Sequence, residues 1–170
     1  VLVLGASGHF GSQAARAFAA AGWTVKTFQR GTDMTAAAMG VDLIVNAMNP
    51  PNYHAWDRLI PQITADVIAA GLASGATVLV PGNVYVYGSQ PGPWGANTPH
   101  RPVARKGAIR AKMEAEYRAA TTQGLQLRTG SQWISDLVEL LSSMRFAISL
   151  LTVICIASVI GTVVKQAEPF

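Results

Sequence analysis

Short apolar runs punctuate the chain. Val1–Leu4, Thr24–Phe28, Asp42–Asn46, Thr77–Val80 and Leu125–Arg128 carry Val, Leu, Ile or Phe without helical spacing. Such runs read as strands, and a continuous one such as Val1–Leu4 as a strand buried on both faces of a sheet. Between them the pattern is helical. Ser12–Ala21 is Ala-rich and ends before Gly22, a plausible C-cap. Trp56, Leu59, Ile60, Ile63, Val67 and Ile68 recur at i, i+3, i+4 spacing and predict a long helix ending at Gly71 or Gly75, with Pro61 as a kink or part of the first turn. Arg105–Thr122 predicts another helix, and Met34–Met39 a brief one. Asn83–Gly88 reads as a continuation of the strand edge before it. Ser89–Pro102, with Pro91, Pro93, Pro99, Pro102, Gly92 and Gly95, reads as a loop. Strands alternating with helices predict an α/β fold: a Rossmann-like parallel sheet with helices on both faces. Only eleven residues separate Arg30 from Asp42. That is short for a helix plus a full strand, so the third strand of the complete fold is expected to be missing or vestigial.

The first strand runs into Gly5-Ala6-Ser7-Gly8-His9-Phe10-Gly11 and then into a helix. This is the context of a phosphate-binding turn. Gly5 permits the turn, Gly8 lets backbone N–H groups approach a pyrophosphate, and Gly11 lets the helix lie close to the strand. The helix N-terminus adds orphan N–H groups and a partial positive charge. Gly5, Ser7, Gly8, His9, Phe10 and Gly11 are therefore candidate dinucleotide contacts, with NADP or NAD as the cofactor. The second strand ends in Gln29-Arg30-Gly31, without the Asp or Glu that usually binds the ribose of NAD, and Asp33 comes three residues later. Arg30 is placed to meet a 2′-phosphate, which leans the expectation towards NADP. Ligands of open parallel sheets bind beyond the strand C-termini. Asn46, Ala47 and Met48, and Asn83 after the next strand, complete the candidate set.

Composition narrows the partners. The 170 residues carry a net charge of +4, but only 13% are charged and the basic residues are scattered. Without a Lys/Arg run interleaved with aromatics, nucleic acid is not an expected partner. The one cysteine, Cys155, rules out an internal disulfide. His9, His54 and His100 stand apart in sequence, and no Cys/His spacing suggests a metal. The first residue is Val, directly in a strand, which suggests a truncated or processed start. Phe146–Val164 is uncharged over 19 residues and bracketed by Arg145 and Lys165. At 1.5 Å rise it reaches about 28 Å, close to the ~30 Å of bilayer hydrocarbon. It predicts a membrane span at 146–164, with the N-terminal domain cytoplasmic.

The Gly-x-x-Gly-x-x-Gly spacing resembles the short-chain dehydrogenase/reductase superfamily, and within it the atypical extended, epimerase/dehydratase-like branch, over about residues 1–130. The resemblance implies an NAD(P)-dependent oxidoreductase or sugar-nucleotide epimerase/dehydratase-like activity on a small-molecule substrate. It also implies a Ser/Thr ahead of a Val-Tyr-Gly strand end, then Tyr-x-x-x-Lys on a helix and a Glu four residues on. Val86-Tyr87-Gly88 and Glu114 match. Lys106 stands where the Tyr belongs, Arg110 where the Lys belongs, and Asn83 or Gly82 where the Ser belongs. The family's phenol passes a proton, its pKa lowered by the ammonium. Lys106 can act as an acid, whereas Arg110 holds its proton near neutrality. The catalytic candidates are Tyr87, Lys106 and Arg110, with Tyr85 or Tyr87 as substitute phenol. The plainer expectation is that Arg110 and Glu114 simply pair at i,i+4.

A second resemblance begins near Ser131. Ser143-Met144-Arg145-Phe146, Leu150-Leu151, Gly161-Thr162, Lys165-Gln166 and Glu168-Pro169 look like the first transmembrane helix of the ResB-type cytochrome c biogenesis family. The expected organisation is a partial NAD(P)-binding domain at 1–130, a linker or amphipathic segment at 131–145, the span at 146–164 and a tail at 165–170. Two partial families in one chain suggest a fusion or a shifted reading frame. The alternatives to an enzyme are a membrane-anchored nucleotide-binding module without catalysis and a truncated ResB-like membrane protein.

Overall fold

The computed structural model describes residues 1–50, 54–95 and 97–129. Five strands alternate with helices: β1 (Leu2–Leu4), α1 (His9–Ala20), β2 (Lys26–Thr27), α2 (Met34–Ala38), β3 (Leu43–Asn46), α3 (Trp56–Ser74), β4 (Thr77–Val80), α4 (Arg105–Thr121) and β5 (Leu127–Thr129). All pairings are parallel, in the order β2-β1-β3-β4-β5. The expected α/β sheet is present. Among the described residues no strand lies outside β2, and α2 alone fills the short Arg30–Asp42 connection before the chain crosses β1 to reach β3.

Alternation along each strand divides the core into two layers. Leu2, Leu4, Ile44, Val78 and Val80 face residues of α2, α3 and α4, including Met34, Trp56, Ile60, Val67, Met113 and Tyr117. Val1, Val3 and Val45 face the other way, towards Ala14, Ala15 and Phe18 of α1. The sheet is thus covered on both faces, and β1, between β2 and β3, is buried throughout. Each fully buried Leu or Val of these strands contributes about 1.5–3 kcal/mol.

Several boundaries differ from the sequence expectation. α1 begins at His9, inside the glycine turn, because Gly8 itself serves as the N-cap. Its C-cap is Ala21 rather than Gly22. Gly22 sits one residue beyond at φ +83°, donating to Ala19 O while Trp23 N donates to Phe18 O. This is a Schellman ending, closed by the edge-on contact of the Phe18 and Trp23 rings at 5.5 Å. Pro61 lies inside α3, past its first turn.

Asn83–Gly88 does not extend β4. Pro81 and Gly82 end the strand, and Val84–Tyr87 form a 3₁₀ turn capped by Asn83, whose Oδ1 accepts from Tyr85 N at 2.8 Å. A local side-chain bond has outcompeted the ladder, although Val-Tyr-Val-Tyr has the alternation of a strand. The expected segments at 131–145, 146–164 and 165–170 lie outside the described residues. Among the described residues, no helix is long and apolar enough to cross a membrane.

Candidate functional site

The glycine turn sits at the C-terminal end of β1, flanked by the loops leaving β2 and β3. Its three glycines differ in what the surrounding chain demands of them. Gly5 has φ +77°, and a Cβ there would lie 2.8 Å from Ala47 O. A Cβ on Gly11 would run into the Gly5 carbonyl. The fold itself therefore demands both. Gly8 is different: its backbone is ordinary extended chain (φ −81°, ψ 166°). A Cβ there meets only Gly5 O, at 3.4 Å. Nothing in the described chain requires glycine at this position. Gly8 N donates to Gly5 O at 3.0 Å and Gly8 O accepts from Ser12 N at 2.9 Å. The amides of His9, Phe10 and Gly11 therefore precede the first helical donor, Ser12 N, and have no acceptor within the helix. Ser7, Gly8, His9 and Phe10 are all exposed.

Past the end of β2 lies a cavity of about 510 Å³, lined by Phe28, Arg30, Asp33, Met48, Leu59 and Asp66 among others. It joins the end of β2 to the start of α2, the loop after β3 and one flank of α3. Arg30 reaches across from the end of β2 and donates to Asn49 O at 2.9 Å. The Asn46 side chain points into the core. Its Nδ2 donates to Tyr117 Oη at 2.9 Å and its Oδ1 accepts from Met48 N at 3.2 Å. That bond fixes the Ala47–Met48 backbone against Gly5. Tyr117 also bonds Thr64, and burial pushes its phenol up to about 12.

The family-aligned residues after β4 fall into two groups. Lys106 and Arg110 both lie over the Trp56 ring, each 5.5 Å from its centroid. Tyr87 stacks on Trp94 at 5.4 Å and meets the edge of His100. Asn83 is occupied as the cap of the 3₁₀ turn. Glu114 does not make the expected ion pair with Arg110. It is buried, and its Oε2 lies 3.4 Å from Arg118 and 3.5 Å from His100. Arg118 sits one turn further along the same face of α4, and the loop brings His100 over it. Burial raises the Glu114 pKa, against the pull of His100, Arg118 and Arg110. His100, Trp94 and Asn49 were not among the sequence candidates. No motif marks them, because the loop path alone brings them to the site. Among the described residues, no three metal-ligating side chains gather.

This arrangement of sheet and turn recurs in solved structures. MoeE5 in complex with UDP-glucose and NAD is similar at a TM-score of 0.64 and 18% identity, over 75% of this chain and 51% of that one. UDP-N-acetylglucosamine 4-epimerase from Bacillus cereus gives 0.66 and 15%, over 75% and 57%. A short-chain dehydrogenase/reductase superfamily protein from Agrobacterium tumefaciens with bound NAD gives 0.58 and 21%, over 75% and 46%. The shared fold is that of NAD-dependent epimerases and short-chain reductases. At these identities the likeness is one of fold, and the chain spans about half the length of these proteins. The ResB-like family model matches residues 144–170, in agreement with the second resemblance. No curated protein matches the sequence. Against the epimerase-like fold, Gly5–Gly11 occupies the strand-to-helix turn, and Tyr87, Lys106 and Arg110 follow β4.

Proposed function

We propose that residues 1–129 bind the dinucleotide NAD or NADP in the manner of an epimerase- or reductase-like protein. The observation that supports this best is Gly8. Gly5 and Gly11 are explained by contacts within the chain; Gly8 is explained by a pyrophosphate that must come within reach of the backbone amides. The exposed N-terminus of α1 and the cavity beside Arg30 fit the same ligand, the first its phosphates and the second its adenosine. When bound, such a cofactor accepts or donates a hydride. The chain's own part is to hold it: Ser7, His9, Phe10 and Gly11 by main-chain N–H groups, Gly8 by leaving room for the pyrophosphate, Ala47 and Met48 by the backbone that Asn46 fixes, and Arg30 by its charge.

Proton transfer is less well provided. Lys106 stands where the family's phenol belongs, and Arg110 cannot exchange a proton near neutrality. Tyr85 and Tyr87, both in the 3₁₀ turn after β4, are the substitute phenols. The reading that follows is a cofactor-binding module with weak or absent turnover on a small-molecule substrate, the class suggested by the similar structures being a sugar nucleotide. The match at 144–170 and the uncharged run at 146–164 support a membrane anchor, with the N-terminal domain on the cytoplasmic side. A truncated ResB-like membrane protein is the second reading, and that match alone favours it.

Calorimetry of the full chain with NAD and NADP tests the proposal. Binding in the micromolar to millimolar range is expected, and Gly8→Val should abolish it by placing a branched side chain where the pyrophosphate must lie. If the unsubstituted chain binds neither dinucleotide at millimolar concentration, the cofactor reading fails and the ResB-like reading gains.

A further inference from the structure

Three buried side chains with polar groups meet in the core behind the glycine turn: Asn46 on β3, Thr64 on α3 and Tyr117 on α4. They form one chain of hydrogen bonds, and its direction is fixed at both ends by the backbone. Met48 N can only donate, and it donates to Asn46 Oδ1 at 3.2 Å. That turns Asn46 Nδ2 towards Tyr117, whose Oη accepts at 2.9 Å. At the far end Thr64 Oγ1 donates to Ile60 O at 2.7 Å, and a carbonyl only accepts. The Thr64 hydrogen is therefore spent, and towards Tyr117 its oxygen can only accept. Tyr117 bonds Thr64, so the phenol hydrogen goes there. Turning the Asn46 carboxamide over would set its N–H groups against the Met48 N–H, so the chain has one direction. Buried networks of this kind specify a single arrangement when every member is satisfied.

The peptide at the head of this chain borders the turn. A Cβ on Gly5 would meet Ala47 O, Ala47 C and Met48 N at 2.8, 3.0 and 3.1 Å. Gly5 O in turn accepts from Gly8 N at 3.0 Å. The Ala47 end of the peptide is tied to β1, since Ala47 N donates to Leu4 O at 3.0 Å. The Met48 end is tied to Asn46. We propose that Tyr117 is a positioning residue for the dinucleotide: from the core, without touching the ligand, it holds the Asn46 carboxamide in the orientation that keeps the Ala47–Met48 peptide against the glycine turn. The inference rests on the dinucleotide reading above and deepens it. A phenylalanine fills the same space but leaves Asn46 Nδ2 without its acceptor.

The test uses the full chain with Tyr117→Phe and, as control, Thr64→Val, which strips the same hydroxyl of its other bond and leaves Asn46 Nδ2 its acceptor. Urea denaturation gives the stability of each. Calorimetry gives the affinity for NAD or NADP, and hydrogen exchange of the unliganded chain gives the protection of the Met48 amide. Both variants are expected to lose stability. Only Tyr117→Phe should weaken dinucleotide binding, about three- to tenfold, the scale of one net hydrogen bond, and speed Met48 exchange by a similar factor. Losses of affinity that follow stability in both variants, or a Tyr117→Phe chain that binds as tightly as the unsubstituted one, overturn the inference. A further measurement needs neither variant to fold. Saturating the unsubstituted chain with dinucleotide should shift the Asn46 carboxamide resonances, although that side chain lies in the core; no shift overturns the inference. If Gly8→Val abolishes binding while Tyr117→Phe leaves it intact, only the role of Tyr117 falls. If no dinucleotide binds, both readings fall.

Discussion

Glycine is used in this chain for reasons that substitution can separate. Gly22 has φ +83° and no atom within 4 Å of the place a Cβ would take, so Gly22→Ala meets only the backbone cost of a left-handed residue, about 1 kcal/mol. Gly8 has an ordinary backbone, and Gly8→Ala should leave stability within about 0.5 kcal/mol of the unsubstituted chain. Urea denaturation of the two variants checks the contrast. Equal losses would mean that Gly8 is held in place by the fold, and would remove the main support for a ligand at the turn. The glycine spacing was legible in the sequence, whereas the difference between Gly8 and its partners was not. That difference depends on the path of Ala47 past Gly5, a contact between residues some forty positions apart.

At the level of elements, the Pro-rich loop is tied to α4 through one buried carboxylate. Glu114 holds His100 from the loop and Arg118 from the helix, with Tyr87 and Trp94 packed behind His100. Burial raises the Glu114 pKa above its ordinary value of 4.5. The folded chain therefore binds this proton more tightly than the unfolded chain does. Its contribution to stability is fully present below about pH 4.5 and is lost as pH rises through the folded value. Denaturation midpoints measured from pH 4 to neutrality should show this fall, and Glu114→Gln should flatten it. Parallel curves for the two proteins would show that Glu114 is not the group responsible. The strands and long helices were legible as apolar runs and helical spacing. The 3₁₀ turn was not, because its sequence alternates like a strand and only the Asn83 cap and the packing of α4 decide otherwise. Gly107 on α4 is part of that packing: a Cβ there would lie 2.5 Å from Tyr85 O. The Arg110–Glu114 pair failed for a similar reason, since spacing along a helix allows two partners and the fold chose Arg118.

For the whole molecule, the proposed organisation joins a nucleotide-binding domain to a membrane anchor. Deleting the residues after Ser143 should move the expressed protein from the membrane fraction to the soluble one. If the full chain is already soluble without detergent, and stays so when Ile154 and Ile156 are replaced by Lys, the anchor reading is wrong. That no strand lies outside β2 among the described residues was legible as a count of residues between Arg30 and Asp42. The cavity beside Arg30 was not, since it is assembled from the end of β2, the loop after β3 and α3. The strand order has a further consequence for how the chain reaches this state. Every pairing in the sheet is parallel, so no hairpin offers a local start. β1 meets β3 through Leu2 and Ile44, and β4 meets β5 through Val78 and Leu127, so each contact closes a loop of roughly forty to fifty residues. During synthesis β1 has only the two-residue β2 beside it until β3 follows. Its apolar residues stay exposed for that interval, so the strand that carries the glycine turn depends on residues made some forty positions later.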